Sequence, residues 1–165
     1  MLKKHLLKQD GIFLRGIKGK KIPNMIFYGP PGTGKTSLAN IIAKQSNLTL
    51  HKLNGTSATT EDIKNIINEI GSVFNSEGIL LYLDEIQYFN KKQQQSLLEY
   101  IEDGRVTLIA STTENPYFYI YDALLSRCSL FEFKPVTAKD IVPVLDRAVS
   151  YMNEENGLSK TADNE

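Results

Sequence analysis

Residues 29–36 read GPPGTGKT, set between an apolar run, MIFY (25–28), and an amphipathic one, SLANIIAK (37–44). Proline removes backbone donors and glycine loosens the chain, so neither a helix nor a strand would use this composition. The segment is a loop that joins a strand to a helix. Gly29, Gly34, Lys35 and Thr36 fill the fixed places of the pattern G-x-x-x-x-G-K-[ST]. Pro30, Pro31, Gly32 and Thr33 lie between them and Ser37 follows, so small residues let the backbone curl around phosphate oxygens. The next helix turns its positive end toward the same place. Lys35 is then expected to reach the β- and γ-phosphates of ATP, and the Thr36 hydroxyl to ligate Mg²⁺. A fortuitous glycine-rich turn is the competing explanation. The strand before the loop and the helix after it weigh against that.

Outward from the loop, the chain alternates strands and helices. Met25–Tyr28 suits a buried strand, and Leu38, Ile41 and Ile42 have helical spacing. LTLHKL (48–53) alternates with period two, a strand pattern. Thr59 and Asp62 form a capping box ahead of Ile63, Ile66, Ile67 and Ile70, one face of an amphipathic helix. ILLYL (79–83) is a continuous apolar strand, buried on both faces. Asn90 caps a helix through Leu97, Leu98 and Ile101, and Gly104 stands where a terminator belongs. Residues 106–110 form a strand, 122–127 a short helix, and 130–133 a last strand before Pro135. Five strands with intervening helices predict an α/β domain with a mainly parallel sheet covered on both faces. The core is expected over residues 1–135. Thr137 and Asp140 cap a further helix, with Pro143 producing a kink or a late start, which over 136–152 begins a helical lid. Residues 153–165 read as a polar tail. A helix added after the last strand suggests that a second domain has been cut away.

At 165 residues and 41% hydrophobic residues, one substantial core is the default. No stretch of 18 apolar residues and no signal-peptide pattern occurs, so a cytoplasmic protein without a membrane segment is expected. A single cysteine, Cys128, excludes a disulfide framework and a multi-cysteine zinc site. Lysine plus arginine and aspartate plus glutamate each number 19, so bulk charge does not mark a nucleic-acid binder. Lys3, Lys4, Lys8, Arg15, Lys18, Lys20 and Lys21 nonetheless stand against Asp10 alone in residues 1–21. This basic face either touches phosphate backbone or is simply solvated.

Acid chemistry is expected at a buried strand's tip, and ILLYLDE (79–85) supplies it. Asp84 would hold the Mg²⁺ shell and Glu85 would polarise the attacking water. Adjacent carboxylates repel, so a shared cation explains their pairing better than a surface turn does. STTEN (111–115) follows the next strand, and polar residues there point into the crevice where ligands bind. Thr113, or else Thr112 or Asn115, would orient γ-phosphate and water; an ordinary Ser/Thr turn is the alternative. Arg127 is either a surface salt-bridge residue or a finger that completes a neighbouring subunit's site.

Together GPPGTGKT, ILLYLDE, STTENP and LLSRC resemble the AAA+ ATPases in their clamp-loader branch. DEIQYFNKKQQQSLLEYIEDGRVTLIASTTENPYF is similar, more narrowly, to the replication-associated recombination protein A family (RarA, also called MgsA). The resemblance runs from about Lys4 to Arg147 and includes KHLL and IPNMIFYGPPGTGKT. It implies Gly29–Thr36 as Walker A, Asp84 and Glu85 as Walker B, Thr113 as sensor 1 and Arg127 as a trans-acting finger. It also implies that Asn54 restrains Glu85 before activation. The family acts as ring-shaped homo-oligomers on DNA ends, gaps and forks, with single-strand-binding protein and the replisome. Gln87 and Tyr88 stand where the family usually has His-Arg, and the rest of the lid and the carboxyl-terminal oligomerisation domain are missing. The chain is therefore expected to be an ATPase-core fragment, weakly active alone. A clamp loader or branch-migration motor, and a nucleotide-gated module without useful hydrolysis, are the rival functions.

Other residues carry two readings each. Tyr117, Phe118, Tyr119 and Tyr121 stack on bases or, by their alternation, pack in a core or interface. Lys91 and Lys92 meet DNA phosphates or are solvated. His5 and His51 lack partners for a metal site, and Cys128 is expected to pack.

Overall fold

The computed structural model of the chain describes residues 22–46, 48–68 and 78–156. The basic stretch 1–21, His5, Ile70 and residues 157–165 of the polar tail lie outside them. The described residues divide at Lys134 and Pro135 into two compact units. The larger holds β1 (Met25–Tyr28), α1 (Lys35–Ser46), β2 (Thr49–Asn54), α2 (Thr60–Asn68) and β3 (Ile79–Asp84). A single 3-10 turn (Ile86–Tyr88) then leads to α3 (Lys91–Glu102), β4 (Val106–Thr112), α4 (Pro116–Tyr119), α5 (Asp122–Leu125) and β5 (Ser129–Glu132).

The five strands form one sheet in the order β2-β3-β4-β1-β5, and every pairing is parallel. β3 lies inside the sheet, which is why Ile79–Leu83 can be apolar without a break: all five are buried. Period two sends Ile79, Leu81 and Leu83 to one face, where they join Ile63, Ile66 and Ile67 of α2 and Leu97 and Ile101 of α3 in one core. Leu80 and Tyr82 take the other face, and Tyr82 there meets Thr36 at the start of α1. After β1 the chain leaves toward β2, whereas after β4 it leaves toward β5. Such a reversal opens a crevice at the carboxyl ends of the strands.

The helix ends follow local chemistry. Asp62 Oδ2 accepts from both the Thr59 amide and its hydroxyl, while the Asp62 amide donates to Thr59 Oγ1. Asn90 Oδ1 accepts from the Gln93 amide at 3.0 Å, and Gln93 Oε1 accepts from the Asn90 amide at 2.9 Å. Asn90→Ala removes half of this reciprocal cap. It is expected to cost about 1 kcal/mol, read as an earlier midpoint in urea denaturation with unchanged slope. Gln94, next in the chain, is 2% exposed and fully used. It donates to the Phe89 and Tyr119 carbonyls and accepts from the Tyr121 amide, tying the start of α3 to the α4–α5 connection.

Four expectations are corrected. The strand foreseen at 106–110 runs on to Thr112, bringing its polar end into the sheet. The helix foreseen at 122–127 ends at Leu125 and closes in a turn. Tyr117, Phe118 and Tyr119 are not core: they are 65%, 81% and 49% exposed on the one-turn helix α4. A single helical turn exposes three successive residues, which period-two alternation does not anticipate. In the second unit, α6 (Ala138–Asn156) keeps Pro143 in its interior, which leaves out the late start of the two readings there, and it runs past Met152 into the stretch foreseen as tail. Thr137 donates to Asp140 Oδ2 from both its amide and its hydroxyl and caps α6. No helix among the described residues is long and apolar enough to cross a membrane.

Candidate nucleotide site

The loop after β1 is built on positive φ angles, 137° at Gly29, 74° at Gly32 and 95° at Gly34. Only glycine adopts these cheaply. Gly29 is constrained twice, because a Cβ there would meet the Phe133 carbonyl oxygen at 2.0 Å. The Thr33 hydroxyl braces the loop by donating to the Pro30 carbonyl at 2.9 Å. Lys35 is 7% exposed and folds back over the loop, Nζ donating to the carbonyls of Gly29 (2.7 Å) and Pro30 (2.8 Å). Burial lowers its pKa, and the nearby Glu85 and Asp84 carboxylates work against that shift.

Asp84 and Glu85 leave β3 at the mouth of the same loop. A cleft of about 310 Å³ is lined by Pro31, Gly32, Gly34, Lys35, Thr36, Ser37, Asp84 and Glu85. The phosphate loop and the paired acids thus share one cavity at the carboxyl ends of β1 and β3. Glu85 has φ 55° and ψ 51°, and among the described residues no other non-glycine has a positive φ. Backbone in that region at a bulky residue costs about 1–3 kcal/mol and persists where the surroundings enforce it. Gly55 lies directly below: a Cβ there would meet the Glu85 carbonyl at 2.2 Å.

Two side chains reach Glu85. Gln87 Nε2 donates to Oε2 at 2.5 Å, and Thr113 Oγ1 stands 3.5 Å from the same oxygen. Thr113 therefore faces Glu85. Thr112 is buried and its hydroxyl accepts from the Glu114 amide, while Asn115 caps α4 through the Tyr117 amide. Asn54 spends Oδ1 on the Thr56 amide and hydroxyl, at 2.9 and 2.7 Å, in a local turn. Arg127 is exposed and outside the cleft lining. Its Nη1 donates to the Ala123 carbonyl at 2.8 Å, and its Nε pairs with Glu102 at 2.5 Å.

Tyr82 and Ser111 also belong to the site without having been given a role from the sequence, and Gln87 had entered only as a departure from the family pattern. Tyr82 is 2% exposed, and its hydroxyl lies 3.0 Å from Thr36 Oγ1, 3.0 Å from Ser111 Oγ and 3.1 Å from Asp84 Oδ1. Ser111 donates to Asp84 Oδ1 as well. Burial raises the tyrosine pKa, so its hydroxyl stays neutral. The signal was present in ILLYLDE, since period two sets residue 82 on the face of residue 84. Burial of Cys128 pushes its thiol up to about 12, in keeping with a packing residue. Lys91 is exposed, with Nζ 4.9 Å from the centre of the Tyr121 ring.

Residues 25–136 match the model of the ATPase family associated with various cellular activities (AAA). The chain belongs to the AAA ATPase family. The cleft is accordingly that of a nucleotide-binding ATPase fold. The replication-associated recombination protein A of Coxiella burnetii is 39% identical over 158 residues, 96% of this chain and 35% of that protein. The protein of the same name from Escherichia coli K12 is 38% identical over 146 residues, covering 88% of this chain and 33% of its own. The Dictyostelium discoideum ATPase WRNIP1 is 38% identical over 145 residues, 87% of this chain and 17% of that one. These matches bear out the resemblance to the RarA family, and the AAA chain spans about a third of the bacterial relatives' length. Among solved structures, the Thermotoga maritima RuvB Holliday junction branch migration motor superposes with a TM-score of 0.71 at 28% identity, over 92% of this chain and 50% of that one. The five-stranded parallel sheet flanked by helices is thus the AAA+ P-loop fold.

Proposed function

We propose that the cleft binds Mg–ATP and hydrolyses it, in a protein that maintains replication forks and assists recombination. The observation that carries this is the shared lining: the phosphate loop, Lys35, Thr36, Asp84 and Glu85 border one cavity. The donor set suits magnesium. The Thr36 hydroxyl and the Asp84 carboxylate are both hard oxygen donors, linked through one hydroxyl, and a cation that keeps waters and phosphate oxygens needs few protein ligands. Among the described residues there is no cluster of three or more His, Cys, Asp or Glu that would favour a transition metal. When bound, the ion neutralises charge that develops on the β- and γ-phosphates. Lys35 exchanges its loop carbonyls for phosphate oxygens. Glu85 takes a proton from the attacking water, and Thr113 orients that water from just past the end of the neighbouring strand β4.

Arg127 acts in trans, leaving Glu102 for a neighbouring subunit's nucleotide, in a ring of identical chains. Asn54, at the end of β2, would restrain Glu85 only by giving up its Thr56 contacts; Gln87 already occupies the carboxylate. The relatives' names place them in replication-associated recombination; DNA junctions and forks as substrates, and single-strand-binding protein and replisome components as cytoplasmic partners, extend that reading through the family resemblance. The branch-migration reading draws support from the RuvB superposition. The higher identity to RarA proteins favours fork maintenance, and a panel of fork, gap and four-way-junction substrates discriminates the two.

The test is ATPase rate against protein concentration, with and without single-stranded DNA, on this chain and on one extended through the family's lid and tail. The dilute 165-residue chain should turn over slowly, and the rate per subunit of the extended chain should climb as subunits associate. Arg127→Ala should remove that climb, with a loss of about 10³-fold at saturation. Robust, concentration-independent turnover by dilute monomer would refute the trans arrangement. No turnover in the assembled protein would leave a nucleotide-gated module instead.

A further inference from the structure

The geometry points to Tyr82 as a positioning residue for the divalent cation: its hydroxyl aims the Thr36 oxygen and anchors Asp84 before the metal arrives. This rests on the Mg–ATP reading of the cleft and deepens it. A phenol carries one proton, and an ionised carboxylate only accepts. Ser111 gives its proton to Asp84 Oδ1. The Tyr82 proton goes to the same side, to Ser111 Oγ or Asp84 Oδ1. In the remaining pair Thr36 must therefore be the donor, at 3.0 Å from the Tyr82 oxygen.

That assignment has a consequence for the metal. With its proton drawn down into the sheet, the Thr36 hydroxyl keeps its lone pairs for the cleft that Thr36 lines. A freely rotating threonine would point its proton at an incoming cation in some of its rotamers. Asp84 is ordered in the same way. Oδ1 is held by Tyr82 and Ser111, which leaves Oδ2 as the oxygen without a hydrogen bond among the described residues. Tyr82 is rigid enough for the task, being buried on β3 with its backbone paired on both sides, to β2 and β4. Thr36 and Asp84 come from different segments, Thr36 standing 46 residues before Tyr82 in the chain, and this hydroxyl is their common contact.

Tyr82→Phe keeps the buried ring and deletes only the hydroxyl. The probe is a fluorescent ADP analogue on this chain, titrated first in EDTA and then with Mg²⁺. Nucleotide affinity in EDTA should stay within about twofold of the parent, while half-saturating Mg²⁺ should rise about five- to tenfold, the loss of one hydrogen bond of ordinary strength. In a Thr36→Ala background, adding Tyr82→Phe should raise the Mg²⁺ requirement by clearly less than it does in the parent, since only the Asp84 contact is left to lose. Mn²⁺ binding followed by electron paramagnetic resonance should show the same ranking. An unchanged Mg²⁺ requirement in Tyr82→Phe overturns the proposal, as does full additivity with Thr36→Ala or loss of nucleotide binding in EDTA. If Tyr82→Phe does not fold, Ser111→Ala removes the next link, with an expected rise of about two- to fivefold; a parental value there overturns it equally. A parent chain whose nucleotide binding ignores Mg²⁺ overturns the reading of the cleft as well, whereas a Mg²⁺-responsive parent with an unaltered variant overturns the Tyr82 role alone.

Discussion

Glu85→Gln is expected to bind ATP as the parent does and to lose turnover by about 10²–10⁴-fold, the usual contribution of a general base. The substitution preserves shape and backbone demand, including the left-handed φ of 55°, and removes only the proton-accepting charge. Lys35, Thr36 and the loop glycines, which hold the phosphates, are untouched, so affinity should not fall. Removal of one acid from a pair also relieves repulsion beside a triphosphate, so the variant should if anything hold nucleotide more tightly. Single-turnover hydrolysis on the extended chain, alongside equilibrium nucleotide binding, separates the two effects. Parental turnover in Glu85→Gln would take the base role away from this residue and leave Asp84 as the remaining candidate.

The second large effect is structural. Gly29→Ala should destabilise the larger unit by more than about 3 kcal/mol and abolish nucleotide binding. Two independent costs meet there: a φ of 137° that L-residues avoid, and a Cβ placed 2.0 Å from the Phe133 carbonyl. The carbonyl cannot swing away cheaply, because the Phe133 amide is bonded to the Tyr28 carbonyl at 2.7 Å, pinning the end of β5 to β1. Gly104→Ala is the control. Its φ is 75° with nothing within 4 Å of an added Cβ, so only the backbone term applies, about 1 kcal/mol. Urea denaturation of both variants should therefore show clearly different midpoints. Equal midpoints would mean that the approach of β5 to the phosphate loop carries no energy.

What was legible in the sequence was legible for local reasons. The loop GPPGTGKT, the capping box at Thr59, the cap at Asn90 and the apolar run ILLYL are each set by residues within a few positions of one another. Their chemistry is therefore complete in a short window. The errors came where a window held two periods. Tyr117, Phe118, Tyr119 and Tyr121 were read as alternating, yet a helical turn exposes Tyr117–Tyr119 and buries Pro116 and Ile120 around them. The QQ of FNKKQQQ marked a resemblance without a physical role. In the fold, Gln93 closes a cap, and Gln94 holds three backbone groups from segments up to 27 residues away.

By itself, the sequence established a phosphate-binding loop between a strand and a helix, a pair of acids at a buried strand's tip, and a parallel α/β sheet. Each of these follows from near-neighbour chemistry and hydrophobic period. The tertiary structure alone decided which groups meet across the sheet: that Tyr82 joins Thr36, Ser111 and Asp84, that Gln87 and not Asn54 touches Glu85, and that Arg127 rests on Glu102. Those contacts depend on strand order and register. Neighbouring strands here are distant in sequence, so no window along the chain contains both partners.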